Sequence, residues 1–148
     1  MKILRTTFEN IDFQNLVQLL DADLAIRNGD DHAFYDQFNK IDNIKNCIVI
    51  YENDIPAACG AFKKFENDTV EIKRMYTKPD FRKKGFASAI VKELEIWAKE
   101  CGYRKAVLES SLQQNEAISV YEKSGYSKIP NYRQYIGIDK SVCYKKEL

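Results

Sequence analysis

Between Thr69 and Glu109 the hydrophobic repeat changes from that of a strand to that of a helix and back. Thr69 to Thr77 is a β-branched, apolar run. From Gly85 to Cys101 the residues Phe86, Ile90, Leu94, Trp97, Ala98 and Cys101 fall on one helical face, with Lys92, Glu95, Lys99 and Glu100 on the other, until Gly102 ends the pattern. Ala106 to Glu109 is again short and apolar. A strand, a crossover helix and a second strand in one sheet form a right-handed unit, and the rest of the chain must be built around it.

The flanks supply more strands. Lys2 to Phe8 reads as a first strand, and Phe13, Leu16, Val17, Leu20 and Leu24 then keep helical spacing until Asn28-Gly29, with Asn10 or Asp12 as cap. A shorter helical pattern covers His32 to Phe38. Cys47 to Tyr51 and Ile55 to Phe65 flank a turn at Asn53-Asp54, and Asn67-Asp68 turns the chain into Thr69 to Thr77, so three consecutive antiparallel strands are expected. Downstream, Asn115 to Ser124 is a short helix closed by Gly125, and Tyr126 to Ile129 and Ser141 to Lys145 are the last strands.

Composition narrows the function classes. A chain of 148 residues suits one domain, expected over 1-148, and no apolar run reaches the roughly 20 residues of a membrane span. With no apolar signal core after Met1, a cytoplasmic protein without membrane partners is expected. Cys47, Cys59, Cys101 and Cys143 form no C-x-x-C pair, and His32 is the single histidine, so no metal site is expected and each cysteine reads as a small reduced core residue. A net charge of +1 creates no global basic field. Nucleic-acid binding would have to rest on the local cluster Lys73, Arg74, Lys78 and Arg82 to Lys84, and is not expected.

The chemistry-bearing segment is Met75-Tyr76-Thr77-Lys78-Pro79-Asp80-Phe81-Arg82-Lys83-Lys84-Gly85-Phe86-Ala87-Ser88. It leaves a strand, turns at Pro79-Asp80 and enters the long helix. A helix N-terminus offers unpaired N–H groups and the positive end of the macrodipole, Gly85 and Ala87 leave room for a diphosphate, and Arg82, Lys83, Lys84 and Lys78 add charge. Neither G-x-x-x-x-G-K-[ST] nor G-x-G-x-x-G is present at that turn, which disfavours an ATPase or a dinucleotide enzyme.

R-K-K-G-F-A after an apolar strand resembles the Q/R-x-x-G-x-G/A acetyl-CoA signature of the GNAT superfamily, with Ala87 where many members carry a second glycine. Asn115-Glu116-Ala117-Ile118-Ser119-Val120-Tyr121-Glu122-Lys123-Ser124-Gly125-Tyr126 is similar to that family's second motif, N-x-x-A-x-x-x-Y-E-K-x-G-F in loose form, with Ala117 one place early and Tyr126 in place of Phe. The resemblance covers residues 47 to 129 well and the rest in outline. It implies an α/β (α+β) fold with a mixed, mostly antiparallel sheet of about six to seven strands flanked by about four helices, splayed between the fourth and fifth strands. It also implies an acetyl-CoA-dependent N-acetyltransferase acting on a small-molecule or peptide amine. Backbone N–H groups of Met75 and Thr77, around Tyr76, would hold the thioester and pantetheine, and Arg82, Lys83, Lys84, Gly85, Phe86, Ala87 and Ser88 would hold the diphosphate.

Acetyl transfer from a thioester needs a neutral amine, a stabilised oxyanion and a proton for the departing thiolate. Glu71, eleven residues before Arg82, stands at the spacing of the general base in this superfamily's histone acetyltransferases; Glu109 is a second candidate. As a plain strand residue, Glu71 would instead be solvated and paired with Lys73 or another cross-strand cation. Tyr121 occupies the position from which many members protonate the thiolate. Asn115 would cap its helix and bond the pantetheine amides. With no Cys or Ser beside a histidine base, direct transfer in a ternary complex is expected. Tyr132, Tyr135 and Ile136, with Phe34, Tyr35 and Phe38, fall in regions that border the acceptor pocket in this superfamily, or else serve as core or in a possible homodimer. Asp30, Asp31 and Asp36 add negative charge nearby. A non-catalytic acyl-CoA-binding module is the alternative function; it would dispense with Glu71 and Tyr121.

Overall fold

A computed structural model describes residues 1–29, 33 and 43–148. The short helical pattern at His32 to Phe38, and with it Asp30, Asp31, Phe34, Tyr35, Asp36 and Phe38, lies outside the described residues. The described elements run β1 (Lys2–Thr6), α1 (Ile11–Asn28), β2 (Asn46–Glu52), β3 (Ile55–Glu66), β4 (Thr69–Thr77), a 3-10 turn (Pro79–Phe81), α2 (Phe86–Glu100), β5 (Lys105–Ser111), α3 (Asn115–Lys123), β6 (Ser127–Ile129), a second 3-10 turn (Arg133–Tyr135) and β7 (Ser141–Glu147). The strands form one sheet in the order β1-β2-β3-β4-β5-β7-β6. Every pairing is antiparallel except β4 with β5, the pair joined by the crossover helix. This is the mixed, mostly antiparallel sheet expected.

The two faces of the sheet carry different layers. On one, Phe86, Ile90, Val91, Leu94 and Ala98 of α2 pack on Ile48, Phe62, Val70, Ile72, Ala106 and Leu108, a layer that also takes in Tyr121 of α3. Each large side chain so buried contributes about 1.5–3 kcal/mol. On the other face, Phe13, Leu16 and Val17 of α1 cover Cys47, Val49, Cys59 and Ala61. Asn10 caps α1 by accepting from the Phe13 N–H at 2.9 Å, settling the choice between Asn10 and Asp12.

Two expectations are corrected here. Cys101 is not core: the helix ends one residue earlier, and Cys101 is its exposed C-cap. Glu95, expected on the solvated face, is largely enclosed, because Tyr126 Oη donates to it at 2.8 Å and Lys146 Nζ reaches it at 3.0 Å. That contact also gives the Tyr126 hydroxyl, the departure from phenylalanine in the second motif, a structural use.

Candidate active site

Two irregularities in the sheet create the site. Parallel pairing between β4 and β5 stops after Thr69↔Lys105, Val70↔Ala106 and Glu71↔Val107, although both strands continue. From Ile72 onward β4 therefore has a strand partner only on its β3 side, while β5 keeps its full pairing with β7. The opening lies where a splay was expected. The second irregularity is a bulge: the β3 register slips between Cys59 and Ala61, opposite Lys73 to Tyr76, and Arg74 takes a left-handed φ of 60°. Two successive side chains, Lys73 and Arg74, are then buried at the same stretch of β4.

Gly60 faces this bulge and has no room for a side chain. A Cβ there would lie 2.5 Å from Met75 Sδ and 2.6 Å from Ile90 Cγ2. The glycine thus leaves room for Met75 on the α2 side of the sheet, while Arg74 pairs with Asp21 of α1 and Tyr76 packs on the α1 layer.

The opening leads into two adjoining cavities. One, of about 420 Å³, is lined by Met75, Tyr76 and Thr77 of β4, Arg82, Lys83 and Ala87 at the start of α2, and Tyr121 of α3. Seven of the residues expected from sequence to touch a cofactor thus share one wall. Lys84, Gly85 and Ser88 are exposed at the same helix start. Phe86 turns its ring into the core, so only its backbone faces the opening. Lys83 and Gly85 both have positive φ, at 64° and 84°. A run of N–H groups in such a turn, ahead of the unpaired first turn of a fifteen-residue helix, makes an anion-binding concavity. Arg82 is anchored by donating from Nε to the Thr77 carbonyl at 2.9 Å. These groups fit a diphosphate with an elongated apolar arm.

Asn115 is a correction. The N-cap of α3 is Gln114, no side chain caps the helix, and Asn115 is exposed outside both cavities. Gln114 lines both instead, and its Oε1 accepts from Ser110 Oγ at 3.3 Å. Contributions from α1 were also missed: Leu20, Asp23 and Arg27 line the larger cavity, and Arg27 pairs with both Asp23 and Glu116, bridging α1 to α3. The available signal was Arg27 itself, a basic residue in the last turn of α1.

The second cavity lies deeper and shares Leu20, Met75, Gln114, Ala117 and Tyr121 with the first. Its polar wall holds Glu71, Lys73, Arg74 and Glu109. Glu71 is buried rather than solvated: Tyr132 Oη donates to Oε2 at 2.7 Å, and the Lys73 and Lys63 ammonium groups stand 3.9 and 4.0 Å from Oε1. Burial raises the Tyr132 hydroxyl, and the Glu71 charge adds to the effect. Burial likewise lowers Lys73, against the pull of Glu71. Glu109 is in a different state. It accepts from Ser141, its Oε2 has no partner, and burial with the nearby Glu71 charge pushes its carboxyl up to about 7. Tyr121 is buried between the two cavities, and its hydroxyl is raised by burial and by Glu109.

The cluster Lys73, Arg74, Lys78 and Arg82 to Lys84 is not one basic surface, since Lys73 and Arg74 are buried. Among the described residues no helix is long and apolar enough to cross a membrane.

Sequence comparison identifies the lineage. The family model described as "Acetyltransferase (GNAT) family" matches residues 13–126. The chain belongs to the GNAT acetyltransferase family. Within that family it is similar to the Xenopus tropicalis "Probable N-acetyltransferase 14", at 30% identity over 68% of this chain and 49% of that one. It spans about half the length of that relative and of a second curated one, the Escherichia coli "Uncharacterized N-acetyltransferase YjgM". The GNAT fold extends over the described sheet: a candidate acyl-CoA N-acyltransferase from Klebsiella pneumoniae superposes with a TM-score of 0.83 at 22% identity, covering 99% of this chain and 97% of that one. A Bacillus subtilis acetyltransferase solved in complex with CoA superposes with a TM-score of 0.71 at 18% identity, covering 99% and 98%.

Proposed function

We propose that this chain transfers an acetyl group from acetyl-CoA to a primary amine by direct attack in a ternary complex. The observation that carries the reading is the continuity of the two cavities. A groove that starts at a basic helix N-terminus reaches a buried carboxylate and a buried tyrosine hydroxyl. Membership of the GNAT family and the CoA bound by the Bacillus subtilis neighbour support acetyl-CoA as the donor.

In this reading the diphosphate lies on the N–H groups of Gly85 to Ser88, with Arg82, Lys83 and Lys84 around it. The pantetheine runs along Met75, Tyr76 and Thr77 on the edge that β5 leaves open. Glu109 takes the proton of the acceptor ammonium, because one of its oxygens is free and its carboxyl titrates near neutrality. Glu71 is the less suited of the two carboxylates, being held by Tyr132 and two lysines. The amine nitrogen bonds to the thioester carbon, the oxyanion is met by backbone N–H groups of β4, and the carbon–sulfur bond breaks. Tyr121, kept protonated by its burial, donates to the leaving thiolate. The larger share of the rate comes from holding amine and thioester together.

The test is thermal stability with and without acetyl-CoA, where saturation at a hundred times the dissociation constant adds about 2.7 kcal/mol. A shift that Gly85→Glu abolishes supports the donor site, and amine-dependent thiol release then supports transfer. No shift at millimolar ligand removes the reading. A shift without thiol release from any amine reduces it to a binding module.

A further inference from the structure

The deeper cavity holds a buried cation that the transfer chemistry does not use. Arg74 is the most enclosed cation of the described ion pairs, its side chain 2% exposed. Nη2 donates to Asp21 Oδ1 at 3.0 Å, but Nε and Nη1 are buried and have no partner. Asp21 itself is 40% exposed, so it balances the guanidinium only from the outer side.

Leaving buried donors unmade is unfavourable, and natural structures rarely do so without a functional reason. Here it coincides with a second cost, since the Arg74 backbone is held at a φ of 60°. Both converge on one residue, placed by the bulge in the wall of the cavity that also contains Glu109. The Glu109 oxygen Oε2 is unpartnered as well. A cation and an anion line one cavity without pairing with each other, which complements a ligand carrying both charges.

We propose that Arg74 forms a carboxylate subsite for the acetyl acceptor, which is therefore an aminocarboxylate. Its ammonium lies against Glu109, and its carboxylate takes the vacant Nε and Nη1 donors. A guanidinium suits this role because it stays charged when buried and presents fixed donors to a planar anion. The assignment rests on the acetyltransferase reading above and deepens it by naming the acceptor class. A polyamine or an aminoglycoside would leave the Arg74 donors unfilled.

The experiment pairs acids with their amides. L-alanine, β-alanine, γ-aminobutyrate, L-glutamate and L-lysine are each compared with the corresponding carboxamide. The readouts are calorimetric binding to the CoA-saturated protein and initial rates of thiol release from acetyl-CoA. At least one acid is expected to exceed its amide in kcat/KM by about a hundredfold, chiefly through KM, since buried donors left empty discriminate strongly. Arg74→Lys is expected to lower kcat/KM for that acid far more than for its amide, so that the ratio falls toward one. Equal use of acids and amides by the wild-type protein overturns the proposal, a result that needs no variant to fold. Equal losses on both substrates in Arg74→Lys also overturn it, and so does the absence of binding by every acid. If acetyl-CoA still binds in those cases, the carboxylate subsite alone has failed; if acetyl-CoA does not bind, the transfer reading has failed with it.

Discussion

Glu109 couples catalysis to stability through one titration. Its carboxyl is raised from the usual 4.5 to about 7, so between those values the folded protein binds a proton that the unfolded chain has released. Stability therefore falls as pH rises through that window, and the penalty is complete above pH 7. Glu109→Gln removes it, and its gain over wild type should be on the order of 3 kcal/mol at pH 8 and close to zero at pH 4. The same substitution should lower kcat about a hundredfold or more and abolish the ascending limb near pH 7. Denaturant melts and a pH–rate profile check the two halves; an unchanged profile would move the base to Glu71 or to water. Tyr121→Phe is argued at the same scale. It keeps the ring contact with Tyr126 and removes only the hydroxyl. Turnover should fall by about tenfold to a thousandfold while acetyl-CoA affinity moves less than about twofold, and single-turnover kinetics separate the two.

At the scale of elements the site depends on how β3 meets β4. Gly60→Ala places a methyl group within van der Waals radii of Met75 and Ile90, at the bulge that turns Arg74 into the deeper cavity. Overpacking of this kind costs about 1–3 kcal/mol. Because Met75 lines both cavities, acetyl-CoA binding should weaken together with the melting temperature, and Gly60→Ala with Met75→Ala should recover part of both. Independent effects in that double-mutant cycle would show that the bulge does not set the donor groove. The elements themselves were legible, because hydrophobic period and turn residues decide them: α2 and the crossover follow from residues 69 to 109, whereas the splay was implied only by the family resemblance. The bulge was not. Its left-handed residue is an arginine, with no glycine at that place to mark it, and the register slip lies opposite it on β3, between Cys59 and Ala61. The state of the carboxylates was hidden for a similar reason. Glu71 and Glu109 look alike in sequence, and only the folded chain brings Tyr132, in the connection before the second 3-10 turn, to one and Ser141 of β7 to the other.

For the molecule as a whole, the four cysteines report how far the two packed faces open together. Cys47, Cys59 and Cys143 are wholly buried in strands of the sheet, and burial pushes the first thiol up to about 12 and the last to about 11. Cys101 is exposed beyond α2. In native buffer a thiol reagent should therefore modify one cysteine at the rate of a free thiol, and the other three only as fast as the sheet unfolds. A donor that bridges β4, α2 and α3 stabilises all the strands at once if the sheet is one cooperative unit. Acetyl-CoA at a hundred times its dissociation constant should then slow all three buried cysteines by about a hundredfold and leave Cys101 unaffected. Mass spectrometry after timed labelling resolves the sites. Cys59, on β3 next to Gly60, is the informative one: if it labels by a local opening that acetyl-CoA does not suppress, the bulge moves apart from the rest of the sheet. If it slows with the others, the geometry around Arg74 and Glu109 persists until the molecule unfolds as a whole, which is the rigidity that positioning an amine against a thioester requires.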